Sequence, residues 1–226
     1  MLSSASLRMA ELFDAPKFIA VDGPLRVGKS TLAGILAETL QAKRVVEPEN
    51  NPFLDRFYQG MSGMALATQM WLLVERYEQM REAAKELAGS EPWPIVADYL
   101  FEKDKLFAYI NLTDAELALY NRYYQMFRSE VPTPDLVIYL QASPEVLKQR
   151  LKRKGLSQEQ AISDAYIEQV AKAYEHFFFH YTASDLLVVD TSEIDFVNRE
   201  QDLALLLKRI SEPIKGKQYF LPGAPL

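Results

Sequence analysis

The stretch Gly23-Pro24-Leu25-Arg26-Val27-Gly28-Lys29-Ser30 constrains the fold more than any other part of this chain. It fits the pattern G-x-x-x-x-G-K-[ST] and follows directly on an apolar run, Phe18-Ile19-Ala20-Val21. Strand, glycine-bounded loop and helix in that order form a cradle for a triphosphate. The glycines let the loop turn its N–H groups inward around phosphate oxygens. The helix that follows, entered at Ser30 and Thr31, presents its positive end to the same point. In this pattern Lys29 brings a point charge to the β and γ phosphates, and Ser30 is a ligand for Mg²⁺. From Thr31 to Ala37 the apolar spacing is that of an amphipathic helix, so the context agrees with the motif. Binding of a nucleoside triphosphate by an α/β protein is the expectation.

The chain has 226 residues, 49% of them hydrophobic, enough for one sizeable core, so a single domain over 1–226 is expected. A net charge of -6 argues against a general nucleic-acid binder, which would carry a basic excess. There is no cysteine, which excludes disulfides, thiolate zinc sites and cysteine nucleophiles. No stretch approaches the length of a membrane span. Met1 to Asp14 carries Arg8, Glu11 and Asp14 and lacks the apolar block of a secretory signal. No membrane partner is expected, and a cytoplasmic location follows by elimination.

Four further apolar runs are short enough for buried strands: Arg44 to Val46, Pro94 to Ala97, Leu136 to Leu140 and Leu186 to Val189. Helical patterns separate them, which predicts a five-stranded parallel sheet with crossover helices. Residues 1–16 read as a leader, 17–211 as the core and 212–226, with three prolines and two glycines, as an extended tail. A long helix is expected over Gly63 to Leu87. Thr113 with Glu116 makes a capping box, and Pro144 after Ser143 opens another helix. Tyr166, Val170, Tyr174, Phe177 and Tyr181 form a core stripe at helical spacing. His176 and His180 stand one turn apart, a spacing that can hold a metal, but no third ligand accompanies them.

In open α/β sheets functional residues gather at the carboxyl ends of strands. Those ends read Gly23 onward, Glu47-Pro48-Glu49-Asn50, Asp98-Tyr99, Gln141-Ala142-Ser143 and Asp190-Thr191. Two acidic groups from neighbouring strands, Glu47 and Asp98, are thus placed to converge on the phosphate loop. Transfer of a phosphoryl group to a hydroxyl needs such a pair, one to accept the proton and one for the metal shell. Each taken alone also suits a turn at a strand end.

The order of motifs resembles the deoxynucleoside kinase family, in its bacterial deoxyguanosine and deoxyadenosine kinase branch, from about Lys17 to about Ile210. The marks are the phosphate loop, Glu47-Pro48-Glu49-Asn50-Asn51-Pro52-Phe53-Leu54-Asp55-Arg56-Phe57-Tyr58, Gln69 with Arg76, and Ala97-Asp98-Tyr99-Leu100-Phe101-Glu102-Lys103-Asp104. Phe107-Ala108, Ile138 to Glu145 and Tyr166-Ile167-Glu168 follow in the same order. The resemblance implies a P-loop kinase fold, ATP as donor, Mg²⁺ held through Ser30 and Asp98, and a purine deoxynucleoside as acceptor. Deoxyguanosine is slightly preferred over deoxyadenosine. It also implies a dimer through Gly63 to Leu87 and Asp114 to Phe127, either of this chain alone or with a related kinase.

Carried over by residue, the resemblance gives Glu47, or Glu49 through a shortened loop, as the base for the sugar 5′-hydroxyl. Tyr58 and Glu168 match the pair on the 3′-hydroxyl. Gln69 matches the amide that reads the base edge, Arg76 and Asp104 the remaining polar pair on the base, and Phe107 the stacking ring. Lys29, Asp98 and Arg150 complete the catalytic set. The segment 150–160 resembles an arginine-rich lid over the phosphates, with Arg150 and Lys154 as its cations. A solvated basic helix end is the other reading of that segment.

Three features depart from the family pattern: one in the loop, one after the acid of the third strand and one in the lid. Arg26 stands where glycine is usual, Tyr99 where arginine usually follows the acid, and Lys154 and Leu156 where arginines are commoner. With Tyr99 in place, the missing positive charge has to come from elsewhere. Lysine does not fork phosphate as arginine does, which predicts weaker lid closure. Two other readings accompany the kinase: a thymidylate-type nucleoside monophosphate kinase, and a weakly active nucleotide-binding subunit of a kinase dimer. The first would need a cationic pocket for the phosphate already on its acceptor, where Tyr99 removes a charge.

Overall fold

The computed structural model describes residues 16–89, 93–154, 162–192 and 194–220. The apolar runs become β1 (Phe18–Asp22), β2 (Lys43–Val45), β3 (Ile95–Ala97), β4 (Leu136–Gln141) and β5 (Asp185–Asp190). All pair in parallel, and β6 (Lys217–Phe220) joins β5, with Leu186 opposite Lys217, to give the order β2-β3-β1-β4-β5-β6. The sheet thus has six strands, not the five expected, and the segment read as an extended tail supplies its edge. An edge strand is paired on one side and only half covered. Lys217-Gln218-Tyr219-Phe220 is therefore under no demand for the continuous apolar run that marked the inner strands. Residues 1–15 of the expected leader and 221–226 of the expected tail lie outside the described residues.

The helices among the described residues are α1 (Lys29–Leu40), α2 (Leu54–Tyr58), α3 (Met64–Leu87), α4 (Lys103–Asn111), α5 (Asp114–Arg128), α6 (Pro144–Lys154), α7 (Asp164–Phe179) and α8 (Glu200–Ser211). Alternation along the strands sends side chains to opposite faces. Ile19, Val21, Ile138 and Leu187 pack with Leu32 and Leu36 of α1 and with Leu206 and Ile210 of α8. Ala20, Val137, Tyr139 and Val188 pack with Leu106 of α4 and with Val170, Tyr174 and Phe178 of α7. Burial on both faces explains why the inner strands are apolar throughout. The capping box forms as expected: Glu116 N–H donates to Thr113 Oγ1 at 3.5 Å, and Thr113 N–H to Glu116 Oε2 at 3.0 Å. Such a cap contributes about 1 kcal/mol to α5. No described helix is long and apolar enough to cross a membrane.

The order of strands directs the active end. From β1 the chain runs out to β2, returns to β3 beside β1, then crosses to β4 on the other side. The carboxyl ends of β1 and β3 therefore meet where the direction of winding changes, the place where such sheets bind ligands. Asp22, buried at the end of β1, ties this point together. Its Oδ1 accepts from Gly23 N–H at 2.7 Å and from Tyr174 hydroxyl at 3.2 Å, and its Oδ2 accepts from Leu100 N–H at 3.1 Å. Burial pushes the Asp22 carboxyl above the usual range, against the pull of Lys103 and Lys29.

Candidate active site

The phosphate loop takes its shape from two glycines in positive-φ conformations. Gly23 has φ +150, and a Cβ there would lie 2.1 Å from Leu140 O. Gly28 has φ +112, and a Cβ there would meet the Phe196 ring at 2.7 Å. Neither position tolerates a side chain without a shift of its neighbours. Arg26 also lies in the left-handed region, φ 63, a conformation that favours glycine. No side chain caps α1, and its first turn carries no acid. Its N–H groups and the positive helix end are therefore open to an anion. Lys29 folds back over this cradle, with Nζ donating to Gly23 O at 2.9 Å and Pro24 O at 3.0 Å. Burial and the nearby Lys103 push the Lys29 ammonium down to about 8, against the pull of Glu47, Asp22 and Asp98.

Opposite the loop, a charged network fixes Glu47. Arg76, inside α3, donates from Nη2 to Glu47 Oε1 at 2.5 Å and from Nη1 to Asp104 Oδ2. Lys103, the first residue of α4, sets its ammonium 2.6 Å from both carboxylate oxygens of Glu47. Asp98 Oδ1 accepts from Glu47 N–H at 2.6 Å, which fastens the loop after β2 to the end of β3. Burial alone would raise the Glu47 carboxyl, but the cations of Lys103, Arg76 and Lys29 hold it well below the usual carboxylate range. Glu47 is thus an ionised acceptor at any physiological pH. Glu49, the other acid considered for the role, lines the same cavity without an ion pair among the described residues.

These groups share one cavity of about 1240 Å³, larger than most single small-molecule sites. On the donor side it is lined by Gly23 to Thr31, Arg150, Arg153, Phe196 and Arg199. On the acceptor side it is lined by Glu47, Tyr58, Gln69, Arg76, Asp98 and Phe107. The Phe107 ring stands edge-on to Tyr174, 6.1 Å between centroids, and lines the cavity. Gln69 donates from Nε2 to Asp104 O at 3.2 Å, which leaves its Oε1 as the acceptor to offer a base.

Two expected contacts are corrected by this arrangement. Glu168 does not face the cavity: its side chain is 46% exposed and pairs with Lys148 of α6 at 2.7 Å. One face of α7 packs Ile167 and Val170 inward, and Glu168 falls beyond that stripe. Asp104 is fully buried behind the wall, where Tyr120 hydroxyl, Gln69 and Arg76 all donate to it, so it holds base-facing groups in place without reaching the cavity. Arg150 does approach the loop, 3.5 Å from Val27 O, but its guanidinium is chiefly engaged by Thr191 Oγ1 at 3.0 Å and Thr191 O at 2.6 Å. The Lys154 side chain and residues 155–160 of the expected lid lie outside the described residues.

Lys103 was missed as a site residue, although its position carried a signal. A lysine opening a helix opposes the helix dipole and calls for a compensating anion. Arg153 enters from the segment expected as a lid, whereas Arg199, at the start of α8, carries no local pattern to mark it. A Mg²⁺ ion suits the donors present. Asp98 Oδ2 is buried without a hydrogen bond, 3.6 Å from Arg44, and the Ser30 hydroxyl stands at the loop's end. Mg²⁺ takes hard oxygen ligands and needs only one or two from protein beside phosphate and water.

Residues 19–215 match the family described as deoxynucleoside kinase. The deoxyguanosine kinase of Bacillus subtilis (strain 168) is 30% identical over 202 residues, covering 87% of this chain and 97% of that enzyme. The deoxyadenosine kinase of Lactobacillus acidophilus is 30% identical over 208 residues, covering 87% and 96%. The structure of deoxyadenosine kinase from M. mycoides with bound dATP superimposes with a TM-score of 0.73 at 26% identity, over 86% of this chain and 99% of that one.

Proposed function

We propose that this chain, which belongs to the deoxynucleoside kinase family, transfers the γ-phosphate of ATP to the 5′-hydroxyl of a purine deoxynucleoside, with deoxyguanosine ahead of deoxyadenosine. The observation that carries the reading is the position of Glu47. Its carboxylate shares a cavity wall with Asp98, across from Lys29 and the phosphate loop, while Gln69, Arg76 and Phe107 line the same side. A nucleoside whose base lies between Phe107 and Gln69 would extend its sugar toward Glu47 and the transferable phosphate. Glu47 aligns the hydroxyl and takes its proton. Because the carboxylate is a weak base, that proton moves late, as suits a loose, metaphosphate-like transition state. Lys29 spreads the charge that develops on the transferring group, and Ser30 with Asp98 would hold Mg²⁺, which when bound neutralises phosphate oxygens.

The preference for guanine rests on the polarity of the reading groups. Guanine offers O6 and N7 as acceptors and N1–H as a donor, whereas adenine places a donor, its 6-amino group, where guanine has O6. Arg76 can only donate, and Gln69 Oε1 can only accept. That pair suits guanine. The reading includes a homodimer through α3 and α5, where Val74, Leu119, Tyr123 and Met126 stand exposed. Purified protein given ATP and each of the four deoxynucleosides tests the assignment. The expected product is deoxyguanosine monophosphate, then deoxyadenosine monophosphate at lower kcat/KM. Turnover of neither purine overturns the reading, and so does a diphosphate product made from a monophosphate acceptor.

A further inference from the structure

We propose that Lys103 is a positioning residue that fixes the plane of the Glu47 carboxylate for transfer; the inference rests on the assignment of Glu47 as the hydroxyl acceptor. Two observations carry it. The ammonium straddles Glu47 at 2.6 Å from both oxygens, and the lysine side chain is itself almost wholly buried, 4% exposed. A carboxylate has about four lone-pair sites. Arg76 occupies one on Oε1 and is committed through its other nitrogen to Asp104, so on its own it would leave the group free to rotate about that one contact. Lys103 adds contacts on both oxygens and stops the rotation, leaving lone-pair capacity toward the cavity for a hydroxyl.

The setting shows that this lysine is held in place. Its Nζ lies 5.9 Å from the centroid of the Tyr99 ring, which is fully buried and anchored by a 2.7 Å hydrogen bond from its hydroxyl to Gln79. The guanidinium carbon of Arg76 lies 5.8 Å from the same centroid. Tyr99 is thus a floor for both cations that hold Glu47, and a ring face attracts cations most strongly where water is excluded. Burying an ammonium at the start of a helix is unfavourable in both solvation and dipole. Here the only carboxylate in contact with it among the described residues is the one that faces the phosphate loop.

A double-mutant cycle on the full chain with ATP and deoxyguanosine tests the assignment. Lys103→Met should lower kcat by about 100-fold, within the range for general-base catalysis, with KM for both substrates changed by less than about threefold. Lys103→Arg, which restores a cation at the same stem, should recover most of the loss. In a Glu47→Gln background Lys103→Met should cost nothing further, because the group it positions is gone. Lys103→Gln is read in the same way if Lys103→Met does not fold. A Lys103→Met protein with a lowered melting temperature but an unchanged kcat overturns the inference, and so does an additive cycle. If Glu47→Gln is itself as active as the parent, the assignment of Glu47 fails, which distinguishes that failure from a failure at Lys103 alone.

Discussion

The donor wall of the cavity is one continuous stretch, Gly23 to Thr31, that works through its backbone, whereas the acceptor wall gathers Glu47, Arg76, Asp98 and Lys103 from four separate segments and works through side chains. The first is specified by local conformation: two glycines, one helix start and a lysine six residues past the first glycine. The second is specified by long-range charge pairing, in which no member is held by its neighbours in sequence. A backbone site fails when its shape is spoiled, and a side-chain site fails when one charge is left unmatched. Removing the functional group from each wall should give the largest effects of all. Lys29→Ala should lower kcat/KM by about 1,000-fold through loss of transition-state charge stabilisation. Glu47→Gln should lower kcat by about 100- to 1,000-fold while ADP affinity, measured calorimetrically, stays close to that of the parent. Equal losses of ADP affinity in both variants would erase the distinction between the walls.

Asp104 sharpens the comparison at the level of stability. It is fully buried, reaches no ligand and is the common acceptor for Arg76, Gln69 and Tyr120. Removing one partner of a buried ion pair leaves the other charge uncompensated, at a cost of about 3–5 kcal/mol. Asp104→Ala should therefore lose most of that amount in urea unfolding, with a fall in activity that follows from a loosened Arg76. A loss under 1 kcal/mol would mean that Glu47 alone is enough to balance Arg76. On the donor wall the counterpart is Gly23→Ala. The added methyl would lie 2.1 Å from Leu140 O, so the loop or β4 has to move. We expect about 1–3 kcal/mol of destabilisation and at least tenfold weaker ADP binding, because the N–H groups no longer converge.

The same division explains how much of the molecule was legible in the sequence. The donor wall was, because its residues are contiguous and each has a conformational reason: Gly28 at a left-handed turn, Ser30 at a helix start. The four inner strands β3, β1, β4 and β5 were as well, since burial on both faces demands unbroken apolar runs such as Leu136 to Leu140, while the edge strand β2 showed only through the short run Arg44 to Val46. Edge strand β6 escaped because half-covered backbone makes no such demand on Lys217 or Gln218. Glu47 was reached from its place at a strand end, and Gln69, Arg76 and Phe107 through resemblance; the cavity gathers all four. What resemblance could not supply was depth. Nothing in a string of letters separates Asp104, one layer behind the wall, from Arg76 within it, and nothing announced that Lys103 turns inward to Glu47 from the first position of a helix.

Glu168 marks where the acceptor wall ends, and it provides the smallest effect and the finest test. Its carboxylate pairs with Lys148 at 2.7 Å on a half-exposed surface, and Asp164 stands 3.5 Å from the same ammonium to take over if Glu168 is removed. Exposed pairs are screened by water and contribute little, and with a substitute acid at hand the loss is smaller still. Glu168→Gln should thus keep the urea unfolding midpoint of the parent, with KM for deoxyguanosine changed by less than about twofold. Tyr58 is its counterpart inside the cavity, where a hydroxyl can meet the sugar directly. Tyr58→Phe should raise KM about tenfold, the value of one hydrogen bond to a ligand. If Glu168→Gln raises KM as much as Tyr58→Phe does, then α7 turns its acid inward when the nucleoside enters, and the acceptor wall has a further member contributed only by the bound state.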